Sequence, residues 1–147
     1  MALTINGGTN IITGLAVGKV LQVLISQYSA TINSDSYQSI TGSSISITPA
    51  TTDSDVLVIV ESAGTMVTGT NNGKFQITRA GTEIHDGSAY GNPGGIRSLM
   101  PLYSLYKDSP STTSATTYAV NFKKYDGGGL GTADFGAHGS ITLIELP

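Results

Sequence analysis

His85 and His138 are the only histidines of the chain, and Glu83, Asp86 and Asp134 lie close to them in sequence. A histidine with two carboxylates is a set that could hold a divalent metal. No HxH or HxxxH spacing joins these residues. The pattern therefore favours polar loop residues facing solvent, and it assigns no metal and no cofactor. In a trimer a single residue near the three-fold axis is tripled, so one His or Asp could become a complete ligand set.

Other chemistry-bearing patterns are equally incomplete. Asp53-Ser54-Asp55 could place oxygens around calcium, but the longer calcium-loop pattern is missing, and local capping of a turn fits better. Asp35, Asp126 and Asp134 read as turn residues in the same way. Gly14-Leu-Ala-Val-Gly18-Lys19-Val20 has one residue too few between its glycines for a phosphate loop. It also puts Val20 where a hydroxyl is required, and it precedes a strand. No Gly-x-Ser-x-Gly elbow is present. Glu61, Glu83 and Glu145 are the only glutamates, and Glu145 falls in the last strand. The expectation is a protein that is not an enzyme, with no catalytic residues.

Tyr28, Tyr37, Tyr90, Tyr103, Tyr106, Tyr118 and Tyr125 are the remaining recognition chemistry, since a phenol offers an apolar face and a hydroxyl to a sugar ring. Tyr103, Tyr106 and Tyr118 lie inside strand patterns, which favours core or subunit contact. Tyr90, in the loop before Asn92-Pro93-Gly94, is the candidate exposed ligand contact, together with Asn92.

The composition says what scaffold holds these residues. Only 12% of the 147 residues are charged, about half the usual share. Gly occurs 19 times and Cys not at all. Ser and Thr make up roughly a quarter of the chain, a mixture that suits strands and turns over helices. A net charge of −3 argues against nucleic acid as partner. No apolar run approaches the roughly 20 residues of a membrane span. The first residues lack the basic region of a secretory signal, so synthesis in the cytoplasm is expected.

The pattern divides the chain into an arm, residues 1–17, and a β domain, residues 18–147. Strand-like alternation recurs at Gly18–Ser29, Ser44–Thr48, Asp55–Ser62, Lys74–Arg79, Thr82–His85, Ile96–Met100, Leu102–Lys107, Thr117–Tyr125 and Ser140–Leu146. Pro49 ends the second of these, and Pro101 divides the sixth from the seventh. The Gly18–Ser29 segment carries apolar residues on both faces and reads as buried on both sides near its middle. About eight or nine short strands at this spacing predict an all-β antiparallel fold, a β-sandwich or a barrel, with very little helix.

Several segments carry a resemblance: MALTINGGTNI at Met1–Ile11, GKVLQV at Gly18–Val23, SISITP at Ser44–Pro49, FQITRAGTEI at Phe75–Ile84, DSPSTTSATTYAV at Asp108–Val120 and SITLIEL at Ser140–Leu146. In this order they resemble a C-terminal domain of fibre and virion structural proteins of tailed phages, many of them marine or cyanobacterial. The resemblance spans nearly the whole chain and rests on a composite of motifs. It implies a jelly-roll or TNF-like sandwich, trimeric, displayed on a virion, with no catalytic residues to carry over. The chain departs from long fibre proteins in having no repetitive shaft.

At about 3.3 Å per residue the arm reaches a neighbour and nothing farther. Its apolar residues Leu3, Ile5, Ile11 and Ile12 are the candidate anchoring and subunit contacts. They would pack on the chain's own domain, a sister subunit or the shell. The expected function is a capsid decoration, cement or head-fibre protein, a homotrimer whose partners are itself and the major capsid protein or other virion proteins. The alternative is a tail-tip module that binds a host-surface glycan through loops at residues 86–95 and 127–135. A third reading is a cytoplasmic TNF-like module unrelated to phage.

Overall fold

The computed structural model describes residues 4–6, 11–13, 20–29, 31–32, 34–66, 72–90, 98–124, 133–134 and 139–147. Among these there is no helix. The strands in chain order are β1 (Thr4–Asn6), β2 (Ile11–Thr13), β3 (Gln22–Tyr28), β4 (Thr31–Ile32), β5 (Gln38–Ser39), β6 (Ile45–Ile47), β7 (Asp55–Met66), β8 (Asn72–Arg79), β9 (Thr82–Tyr90), β10 (Ser98–Asp108), β11 (Thr116–Lys124), β12 (Ala133–Asp134) and β13 (Gly139–Leu146).

Two antiparallel sheets form a sandwich. One runs β1-β2-β3-β13-β7, with β10 on the other side of β7 and the short β12 and β4 extending from the far end of β7. The second runs β5-β11-β8-β9, with β6 also on β11. Among the eight principal strands the first, eighth, third and sixth are neighbours (β3-β13-β7-β10), as are the second, seventh, fourth and fifth (β6-β11-β8-β9). That order is the jelly roll of two interlocked Greek keys, as expected.

Period-two alternation builds the core. Val56, Val58 and Val60 of β7 and Ile141 and Leu143 of β13 face Ile77 of β8 and Tyr118, Val120 and Phe122 of β11, all fully buried. Ile40 and Ile47 complete that layer. Strand β11 changes partner from β6 to β5 along one edge, because Thr41 and Gly42 loop out, with Gly42 at φ 86°. Backbone groups left over at this change are satisfied locally. Ser43 Oγ donates to the Val120 carbonyl at 2.8 Å and accepts from its N–H at 3.1 Å, while the Ile40 N–H donates to the same carbonyl.

Several expectations are corrected. Pro101 does not divide two strands, since β10 runs unbroken from Ser98 to Asp108. Among the described residues β10 pairs with β7 alone, and on an edge strand the missing proline donor can fall on the open side. Strand β9 continues to Tyr90 instead of ending at His85. Gly87 is accommodated in it by a ring: Phe75, its register partner, lies where a side chain would stand, 2.4 Å from an added Cβ. Gly139 lies under Tyr28 in the same way, with 2.1 Å to the nearest ring atom. Asp134 belongs to β12, not to a turn.

Asp55 is likewise a strand residue. The turn before it is built by the Thr51 hydroxyl, which meets the Ser54 hydroxyl and accepts from the Asp53 N–H. His85 is not a solvent-facing loop residue. It is half-buried in β9 and stacks on Tyr106 of β10 at 4.9 Å between centroids, with Phe75 edge-on at 6.3 Å. These rings close the flank where the two sheets have no shared strand.

Candidate subunit interface

The outer faces of the two sheets differ in chemistry. On the five-stranded sheet the outward side chains bond one another. Ser46 meets Thr117 at 2.7 Å, Asn121 Nδ2 donates to Gln76 Oε1 at 3.1 Å, and Gln76 Nε2 donates to Glu83 at 2.5 Å. The Lys123 ammonium lies 4.9 Å from the Tyr37 ring centroid. Burial raises the Tyr37 pKa, and the carboxylates of Glu83 and Asp86 add to the shift. This is a surface made for water.

The outer face of the eight-stranded sheet is apolar at its centre. Register aligns its side chains in rows across β3, β13, β7 and β10. One row is Ile25, Thr142, Ile59 and Leu105, and the next is Val23, Ile144, Leu57 and Lys107. A third holds Gln27, Ser140, Glu61 and Tyr103. Ile25 is 64% exposed, Tyr103 67% and Leu105 53%, with Val20 and Val23 also exposed. The Gly18–Ser29 segment is therefore not buried on both sides: Val23 and Ile25 face outward, 40% and 64% exposed, with none of the described residues over them. Contiguous apolar surface of this kind marks an interaction site.

Among the described residues, charges stand only at the margins of the face. Lys107 pairs with Asp55 at 2.8 Å, and the Ser109 hydroxyl donates to the other Asp55 oxygen at 2.5 Å. The hydrogen bond from Lys107, and after it that from Ser109, holds the Asp55 carboxyl below its usual range. At the opposite margin Ser140 donates to Glu61 at 3.0 Å. A second copy can meet the central rows without bringing like charges together.

No family model matches the chain, and no curated protein matches it.

The sequence-derived site residues are distributed as follows. Ile5 of β1 is the register partner of Ile12 of β2, so the arm folds back as a hairpin, and Ile11 pairs with Gln22 of β3. The hairpin thus continues the sheet that bears the apolar face. Leu3 lies outside the described residues, as do Asn92 and His138. Tyr90 is the last residue of β9, opposite Asn72, and not a loop residue. Tyr118 is core, whereas Tyr103 stands on the apolar outer face. Among the described residues no three of His, Cys, Asp or Glu converge as a metal set. The sequence reading leaves Tyr103 between core and subunit contact and does not single out Leu105; both stand exposed on the outer face. The signal for them was present in the apolar residues on both faces of Leu102–Lys107.

Proposed function

We propose that this chain is a virion structural protein of a tailed phage, a capsid decoration, cement or head-fibre protein. It acts as a homotrimer and is anchored through residues 1–17. The observation that carries the reading is the apolar outer face of β3, β13, β7 and β10, set against the hydrogen-bonded polar face on the other side. Burying one large apolar side chain contributes about 1.5–3 kcal/mol. A face with Ile25, Leu105, Tyr103 and Val23 exposed in one copy is therefore stabilised by sharing it with others. Cyclic association sets the β3 side of one copy against the β10 side of the next and closes the ring. The jelly roll and the resemblance in the order of motifs support placing such a ring on a particle. The role is mechanical, with no catalytic step.

Sedimentation tests this reading. The wild-type protein should run at three times the 15.1 kDa of one chain, and I25D with L105D should run as a folded monomer. Removing residues 1–17 should abolish attachment to particles while the circular dichroism spectrum stays β. A wild-type monomer, or full particle occupancy by the truncated protein, overturns it.

A further inference from the structure

Glu145 is fully buried, at the end of β13 on the inner side of the sheet. Both of its carboxyl oxygens are bonded. Oε2 accepts from Gln22 Nε2 at 2.5 Å, and Oε1 accepts from the Ala50 N–H at 2.6 Å. The Gln22 amide also donates to the Thr48 carbonyl at 2.9 Å, and the Leu21 N–H donates to the Glu145 carbonyl at 2.9 Å. Three segments converge here: the start of β3, residues 48–50 after β6, and the end of β13. Only a carboxyl suits the position, because both partners of its side chain are donors. An apolar residue would leave the Ala50 N–H without its acceptor and the Gln22 amide with the Thr48 carbonyl alone.

Gln22 is also where the arm meets the body. Its register partner on one side is Glu145 and on the other is Ile11 of β2. Ile11–Gln22 is the single paired position between β2 and β3 among the described residues. With so narrow a joint, the arm's direction is set by how firmly Gln22 is held.

We propose that Glu145 is a positioning residue for the arm. Its buried carboxyl clamps Gln22, and Gln22 fixes the point at which the β1–β2 hairpin leaves the sandwich. This rests on the reading of residues 1–17 as the anchor and adds the residue pair that aims it.

Hydrogen exchange on the full-length protein tests the clamp. E145Q presents an amide donor to a second donor, and Q22M removes the donor while keeping the shape. Each should speed amide exchange in residues 4–13 by about tenfold, the cost of one unsatisfied buried group, with exchange in β7 unchanged. V58A lowers stability from the core without touching the clamp and should leave exchange in the arm as it is. Q22M carries the test if E145Q does not fold. Unchanged arm exchange in Q22M, or an equal rise in V58A, overturns the proposal. Particle attachment is read separately: the 1–17 truncation judges the anchor, and exchange judges the clamp.

Discussion

Tyr118 donates its hydroxyl to Asp108 Oδ2 at 2.5 Å inside the sandwich. Arg79 Nη1 reaches both oxygens of the same carboxylate, at 2.9 and 3.0 Å. Strands β8, β10 and β11, drawn from both sheets, are thereby tied at one carboxylate. Burial, then the hydrogen bond with Asp108, raises the Tyr118 pKa. Y118F should lower stability by about 1–3 kcal/mol, since Asp108 loses a buried donor. D108A should cost more, because it strands both the tyrosine hydroxyl and the guanidinium. The Arg79 side chain is 34% exposed, so solvent screening makes R79M the mildest of the three. Urea midpoints would rank them.

Gly87 tests whether close approach or backbone freedom explains a glycine. An added Cβ would sit 2.4 Å from the buried Phe75 ring, so G87A should lose about 1–3 kcal/mol through overpacking. Gly81 has open space around it but φ 81°, and G81A should lose about 1–2 kcal/mol from backbone strain alone. Pairing each with F75L separates the causes: the smaller side chain should relieve G87A and leave G81A unchanged.

Asp55 supplies a pH dependence. Its folded pKa lies below the ordinary carboxyl value of 3.8, so its contribution to stability is complete above that pH. The contribution fades as the pH falls through the lower folded value. An NMR titration of the Asp55 carboxyl should give a midpoint below 3.8, returning toward that value in K107M. A midpoint that does not move in K107M would contradict the assigned cause.

Tyr28 acts at the other end of the scale. Burial pushes its hydroxyl up to about 12 from 10.0, with the Glu61 charge adding to the shift. A raised phenol pKa means that its contribution is complete below 10.0 and is lost as the pH rises toward 12. Thermal unfolding followed between those two values should show stability falling with pH. In Y28F, which cannot ionise at this site, the fall should be shallower.

Much of the fold was legible because strand alternation is local. Asp55–Ser62, Thr117–Tyr125 and Ser140–Leu146 each show which residues face inward, and the core is built from those faces. Other features depend on long-range partners. Ala80 and Gly81 make a two-residue hairpin turn with φ of 49° and 81°, the geometry usually signalled by Asn-Gly. The sequence pattern brackets this turn between Arg79 and Thr82 but hides the far end of β9, where Gly87 interrupts the alternation. Gly87 fits a strand only because Phe75 covers it from a neighbouring strand, and Pro101 fits only because β10 lies at an edge. The apolar outer face was half legible: Gly18–Ser29 carries apolar residues on both faces, but alternation does not say which of the two its own chain buries. The Glu145–Gln22 contact joins residues 123 positions apart, a separation that no local pattern encodes.

Pro101 sits in a strand whose far side is unpaired among the described residues. A neighbouring chain adding itself there as an extra strand would find one donor missing from the ladder. That gap weakens sideways growth into open fibrils. The apolar flat of the same sheet carries no such gap, so contact between copies through that face would not depend on the ladder.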